Sequence, residues 1–356
     1  DNSLFKEEEI KNLGGVIAIS EVVSSSENID DLITNLYSKG LYFGSENKLN
    51  YLLYSFPKEI LERENISEYL KLRFKEEKVK ATEKPLKPFM ELQSGDFAET
   101  SLSSSQKIGE KYVFLKDSEG KFYFARVFSE CDYENIEKRD MEKPVRRSGL
   151  SISPRISKIM VNLSKVSSND SGNNTLVDCF CGIGALLQEA LLQDIRVVGI
   201  DSDKEAIKGA KKNFDWFNFS RDKFDLINGD SSKMRLERSL KKFSQASFSS
   251  LVTEPDLGEL LKKPAPKEKA LQIQAKFEKL MIDVLNNMQK YVSGRFVFTA
   301  PYIKTGKKER IGCNMENICE NTGLKIAKSE SGLTDYPLDE FSENKIVGRQ
   351  IFVLER

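Results

Sequence analysis

Three carboxylates in the second half of the chain each close a short apolar run. Asp178 ends "TLVD", Asp201 ends "VVGID", and Asp230 follows "FDLING". Acids at the ends of successive parallel strands face the crevice where doubly wound sheets bind ligands. After the first comes "DCFCGIGALLQEA" (Asp178 to Ala190), a turn whose glycines let backbone approach a ligand beside a helix N-terminus. The turn is not GxGxxG and no Walker lysine follows, which argues against dinucleotides and triphosphates. Asp201 suits a ribose diol, with Ser202 beside it. Asp230 suits an exocyclic adenine amine, with Ser231 beside it. In this order and spacing the set has the layout of an S-adenosylmethionine site. Asp178, Phe180, Cys181, Gly182, Gly184, Asp201, Ser202, Asp230 and Ser231 are the candidate contacts. Each acid taken singly is equally an ordinary helix N-cap.

A fourth apolar run ends in "LVTEPDLGEL" (Leu251 to Leu260). A nucleobase amine is a poor nucleophile because its lone pair is delocalised into the ring. A carboxylate and a backbone carbonyl can hold its N–H groups, localise the lone pair and aim it at a methyl donor. Glu254, Pro255 and Asp256 are the candidate catalytic residues. Leu257 stands where an aromatic would stack on the base, and a missing stack weakens base binding by about 1–3 kcal/mol. Tyr302 in "APYI" is the ring that would substitute. The competing reading is a plain strand-to-loop turn.

These residues need a scaffold. From Asn174 onward strand and helix patterns alternate through "VVGID", "DKEAIKGAKKNFDWF", "FDLINGD", a helix near "KMRLERSLKKF", "SSLVTEP", a long helix from Lys267 and "GRFVFTAP". They end in "GLKIAKSE" and "GRQIFVLER", an antiparallel closing hairpin. This predicts an α/β, doubly wound sheet. The first part reads as mixed α+β. Strands are expected at Gly14 to Val23 and Leu41 to Asn47, helices at Asn28 to Gly40 and Asn65 to Lys78, and a hairpin over Lys111 to Phe128. Beyond Phe128 the pattern lapses into a linker. From Lys143 to Lys158 that linker holds Lys143, Arg146, Arg147, Arg155 and Lys158 without an acid. Lys143, Arg146, Arg147 and Arg155 are the candidate phosphate contacts, and a merely solvated linker is the plain alternative.

The 356 residues imply more than one domain, and 39% hydrophobic residues imply folded ones. Lys+Arg and Asp+Glu are both 55, so a nucleic-acid surface must be local. The absence of histidine removes serine triads, Cys-His pairs and imidazole bases. No metal site is expected, because the five cysteines lack zinc-ribbon spacing and read as small buried residues of a reducing compartment. No transmembrane-length run or signal peptide is visible, so a cytoplasmic protein is expected, a monomer by default because no oligomerisation signal stands out. The sequence opens on Asp1, which puts the native start elsewhere or makes this a processed end.

The chain resembles the THUMP-containing tRNA guanine-N2 methyltransferases that modify guanosine at tRNA position 10. "DCFCGIGALLQEA" is similar to that family's "DPFCGTG…EA". "RD…P.R…SG…P.…NLS" is matched by Arg139, Asp140, Pro144, Arg147, Gly149, Pro154 and Asn162. "LYFGSEN", "SLSSSQ" and the closing "VGRQIFVLE" are also similar. The resemblance implies a ferredoxin-like and THUMP RNA-binding region over 1–129 that grips tRNA. A basic linker over 130–158 and a Rossmann-like class I methyltransferase domain over 159–356 would follow. S-adenosylmethionine would be the cofactor and tRNA the partner, with a small activating subunit needed by some relatives. The family's usual "DPPY" is here "EPDL". Two alternatives stand beside guanine N2: a catalytically silent RNA-binding protein, and methylation of another nucleobase position.

Overall fold

The computed structural model describes residues 9–57, 60–85, 90–91, 97–98, 108–147, 152–167, 174–238, 247–259, 261–306, 309–328, 335–341 and 345–356. "SLSSSQ" and Gly149 lie outside them. The chain divides into two compact units. The first takes most of the described residues up to Tyr133, and the second runs from Glu134 to Arg356 together with Asn12–Gly15.

The first unit is α+β. Its elements are β1 (Ala18–Ser26), α1 (Ile29–Tyr37), β2 (Lys48–Phe56), α2 (Arg63–Glu76), β3 (Lys80–Glu83), the two-residue strands β4 (Met90–Glu91) and β5 (Phe97–Ala98), β6 (Glu110–Lys116) and β7 (Phe122–Glu130). The main sheet has the order β1-β7-β6-β2-β3, and β6, β2 and β3 run parallel. Tyr51, Tyr112, Phe114 and Phe124 fill its core against Leu32 and Leu36 of α1 and Phe74 of α2. The predicted hairpin is β6–β7. The strand expected over Leu41 to Asn47 is absent. Leu41 is a buried plug, and its carbonyl accepts from Tyr112 Oη at 2.8 Å. Strand alternation begins only at Lys48.

The second unit opens with α3 (Tyr133–Glu142) and α4 (Pro154–Leu163), in the stretch expected to be an irregular linker. Only Ile136 of α3 is a buried apolar residue, so apolar periodicity could not announce this helix. In α4, Pro154 is a starter rather than a breaker: it sits in the first turn, and Ser153 Oγ accepts from Ile156 N.

Then come β8 (Thr175–Asp178), α5 (Ala185–Leu191), β9 (Arg196–Asp201), α6 (Lys204–Trp216), β10 (Phe224–Asn228) and β11 (Ser250–Thr253). They are followed by α7 (Lys267–Met288), β12 (Phe296–Lys304), β13 (Arg310–Ile311), α8 (Met315–Thr322), β14 (Lys325–Ile326), β15 (Leu338–Glu340) and β16 (Val347–Glu355). The helix expected near Lys233 to Phe243 shows only a single turn, Leu236–Arg238, among the described residues. The sheet order is β10-β9-β8-β11-β12-β16-β14, with β13 on β12 and β15 on β16. Strands β10 to β12 along this path are parallel, and β16 enters antiparallel between β12 and β14. One face of the sheet packs on α4, α5 and α6 through Met160, Leu187 and Phe214. The other packs on α7 and α8 through Phe277, Met281 and Ile318. Covering both faces explains the near-continuous apolar strands.

Candidate active site

Three parallel strands bring the expected cofactor residues to one edge of the sheet. β8 and β9 pair with Asp178 opposite Gly199, and β9 and β10 pair with Asp201 opposite Asn228. The sheet therefore aligns the ends that carry Asp178, Asp201 and Asp230.

The turn after β8 is built on positive backbone angles, with φ 52° at Gly182 and 85° at Gly184. Gly184 begins α5, and a Cβ there would lie 2.6 Å from the Phe214 ring. At Gly182 a Cβ would meet nothing within 4 Å, so this backbone borders open space. The Gly182 N–H donates to Asp201 Oδ2 at 2.8 Å, and Asp203 N donates to Oδ1 at 2.8 Å. Asn228 Nδ2 donates to the carbonyls of Asp201 and Ser202, both at 2.9 Å, which locks the end of β9 to β10. Cys181 is buried against the core beneath the turn, and Phe180 packs against the other core face.

Asp178 is 2% exposed. Its Oδ1 accepts from Phe180 N at 3.0 Å and from Thr253 Oγ1 at 2.5 Å, tying the ends of β8 and β11 together. Burial pushes its carboxyl up to about 7 against those hydrogen bonds, and the charges of Asp201 and Glu254 add to the rise. Asp230 is exposed, and its Oδ1 accepts from the Ser232 hydroxyl and N–H. Those bonds hold its carboxyl below the usual range. Ser202 is exposed and Ser231 is buried, and the Ser231 carbonyl accepts from Asn287 of α7 at 2.8 Å.

S-adenosylmethionine carries a sulfonium, an ammonium, a ribose diol and an adenine amine, which together ask for acceptors and negative charge. The edge offers Asp178, Asp201, Asp230 and an open glycine turn, so the residues present fit that cofactor.

The expected catalytic stretch is arranged differently from the expectation. Glu254 follows β11, and its Oε1 lies 2.5 Å from Arg349 Nε of β16. Burial pushes the Glu254 carboxyl up, and Arg349 opposes the shift. Pro255 is buried. Asp256 is exposed, and its Oδ1 accepts from Gly258 N at 3.0 Å, closing a turn in which Gly258 takes φ 95°. Asp256 thus shapes the loop through one carboxylate oxygen. Leu257 packs against the core. The Tyr302 ring meets Phe341 edge-on at 5.4 Å, with Arg310 at 5.6 Å from its centroid. That cluster engages the ring proposed as a replacement stack.

Two cations of the basic stretch, Lys143 and Lys158, are buried, and Arg155 is part-exposed. Lys143 is 5% exposed with its Nζ 2.5 Å from Asp140, so it is not available to phosphate. The pattern that brought it forward, cations without an acid, overlooked an acid one helical turn earlier. Arg139 forks onto Glu189 of α5 at 2.8 and 3.3 Å. Arg147 lies 2.6 Å from Asp203 and is part-exposed, and Arg146 is exposed. Asn162 accepts from Gly14 N at 2.6 Å. The fully buried Asn213 of α6 holds both Val145 and the Ile183 carbonyl of the glycine turn, at 2.9 to 3.1 Å. Sequence reading missed Asn213, Thr253, Asn228 and Arg349. Only Arg349 left a signal, as a lone cation inside the apolar run "VGRQIFVLE".

The doubly wound sheet with an antiparallel strand inserted near its end, the glycine turn and the strand-end acids define a class: the Rossmann-like class I methyltransferase fold. No family model matches the chain. It is similar to the tRNA (guanine(10)-N2)-dimethyltransferase of Methanothermobacter thermautotrophicus, 33% identical over 108 residues, which are 30% of this chain and 28% of that one. The protein of the same description from Pyrococcus abyssi is 27% identical over 129 residues, 36% of this chain and 34% of that one. The chain thus spans about a third of the length of these curated relatives. In fold it is similar to TrmN from Thermus thermophilus, with a TM-score of 0.52 at 11% identity over 99% of this chain and 87% of that one.

Proposed function

We propose that the protein is an S-adenosylmethionine-dependent tRNA methyltransferase acting on the exocyclic N2 of a guanine, at tRNA position 10. The observation that carries this reading is the placement of Glu254 at the end of β11, next to the strand-end set of Asp178, Asp201 and Asp230. The names of the two curated relatives favour guanine N2. When bound, S-adenosylmethionine supplies an activated methyl group. Asp201 accepts from the ribose hydroxyls, Asp230 from the adenine amine, and the Gly182 turn admits the cofactor chain. Glu254 accepts an N–H of the substrate amine, which localises the nitrogen lone pair and orients it. Arg146, Arg147 and Arg155 contact backbone phosphate. Residues 1–129 serve as the THUMP-type RNA-binding region, 130–158 as the connection and 159–356 as the methyltransferase domain.

The ion-paired Glu254, the turn-forming Asp256 and the core-packed Leu257 favour a second reading, an RNA-binding protein that does not catalyse. One experiment separates the two. The protein is incubated with labelled cofactor and unmodified tRNA, and the product is digested to nucleosides. N2-methylguanosine supports the first reading, and a different methylated nucleoside moves the target atom. Binding of tRNA without incorporation establishes the second.

A further inference from the structure

We propose that Arg349 is a positioning residue for this reaction: it fixes the Glu254 carboxylate and leaves Oε2 as the acceptor offered to the substrate amine. The inference rests on the methyl-transfer reading of Glu254.

The geometry points to it in three ways. First, β12 lies between β11 and β16, so the pair spans an intervening strand. Arg349 sits opposite Pro301 of β12 on one side and opposite Glu340 of β15 on the other. Second, Arg349 serves two carboxylates. Nε reaches Glu254 Oε1 at 2.5 Å, and Nη1 reaches Glu340 Oε2 at 3.2 Å. Lys345 Nζ meets the other Glu340 oxygen at 3.2 Å. A guanidinium engaged on both edges cannot swing, so Glu254 is held from a fixed anchor. Third, the hydrogen bond that Glu254 accepts from Arg349 uses Oε1, and among the described residues none is made to Oε2. Both side chains of the pair are largely covered, 14% exposed for Glu254 and 17% for Arg349.

A buried ion pair is weak evidence of a role in stability, because an apolar pair of similar volume often serves as well. A carboxylate that must accept from an amine has a stronger need for one. It has to stay ionised in a covered place and keep one orientation. The charged groups acting on Glu254 include the carboxylate of Glu340, which disfavours its charge, while the Glu254 charge in turn raises the carboxyl of Asp178. Arg349 is the cation that opposes both burial and Glu340.

The test measures methyl incorporation into unmodified tRNA under steady-state conditions across pH, with cofactor affinity by calorimetry as the folding control. Arg349→Ala is expected to lower kcat about 100-fold while cofactor affinity holds. The acid limb of its pH–rate profile should move up by about one unit or more, since burial then acts on Glu254 unopposed. The double variant Glu254→Gln with Arg349→Ala should be no slower than Glu254→Gln alone, because Arg349 acts through Glu254. Arg349→Lys keeps the charge but not the fork, so the acid limb stays while part of kcat is lost. An Arg349→Ala enzyme with unchanged kcat and acid limb overturns the inference, as do additive losses in the double variant. If Arg349→Ala does not fold, an acid limb that moves in Arg349→Lys overturns it instead. No incorporation by the wild-type protein overturns the methyltransferase reading, and this inference with it.

Discussion

Asp201 Oδ2 accepts the N–H of Gly182 at 2.8 Å, so one strand-end carboxylate also braces the glycine turn of the neighbouring strand. The same side chain caps Asp203 N through its other oxygen. Asp201→Ala should therefore do two things at once. Cofactor affinity in calorimetry should fall at least about 100-fold, the loss of a charged hydrogen-bond acceptor costing about 1.5–3 kcal/mol and the loosened turn adding to it. The melting temperature should fall as well. Unchanged affinity would remove the cofactor-site assignment.

Gly184 meets two demands that no other residue satisfies. Its φ is 85°, and a Cβ would press on Phe214, which is fully buried. Gly184→Ala is expected to cost about 2–4 kcal/mol in denaturant unfolding, from backbone strain plus overpacking. The equivalent change at Gly182, which borders open space, should cost only the backbone strain. Comparable losses at both would contradict the packing role assigned to Phe214.

Asp178 links pH to stability and to cofactor binding. Its folded carboxyl is raised to about 7, far above the ordinary aspartate value. Between that ordinary value and about 7 the folded state holds more protons than the unfolded one. This group's contribution to stability therefore falls as pH rises through that window. Asp178→Asn keeps the Oδ1 acceptor and removes the buried charge. It should raise the melting temperature at pH 8 by about 3 °C or more and flatten the dependence between pH 5 and 8. A cationic cofactor favours ionised Asp178, so wild-type affinity should rise from pH 6 to 8 and the variant's should not. A parallel pH dependence in both would assign it to another group.

The covered and the exposed cations of this region should behave oppositely. Arg139→Ala strands the buried Glu189 carboxylate, whose pKa burial already raises. It should cost about 3–5 kcal/mol of stability. Lys143→Ala should likewise destabilise without altering the salt dependence of tRNA binding.

Arg146 is exposed, and Arg146→Ala should lower the salt slope of tRNA binding by about one while leaving the melting temperature in place. Filter binding at several salt concentrations reads both this variant and Lys143→Ala. A lowered slope for Lys143→Ala would return that residue to the RNA surface.

The strand–helix rhythm, the glycine turn and the acids at three strand ends were legible in the sequence, because each is a local pattern. Apolar runs mark strands covered on both faces, and positive φ selects glycine. The first helix of the second unit was not legible, since it buries a single apolar residue, Ile136, beside the Arg139–Glu189 ion pair. Nor was the fate of the basic stretch, because Glu189 and Asp203 are brought to Arg139 and Arg147 by folding over more than forty residues. The sharpest division lies at "LVTEPDLGEL". Its residues alone determined that a carboxylate ends the fourth parallel strand. Only the tertiary structure decided which carboxylate could act there and in what state. It places Asp256 in a turn, packs Leu257 against the core, and sets Arg349 across an intervening strand against Glu254. That outcome depends on an antiparallel strand near the chain's end inserting beside β12, a register that no local pattern around residue 254 encodes.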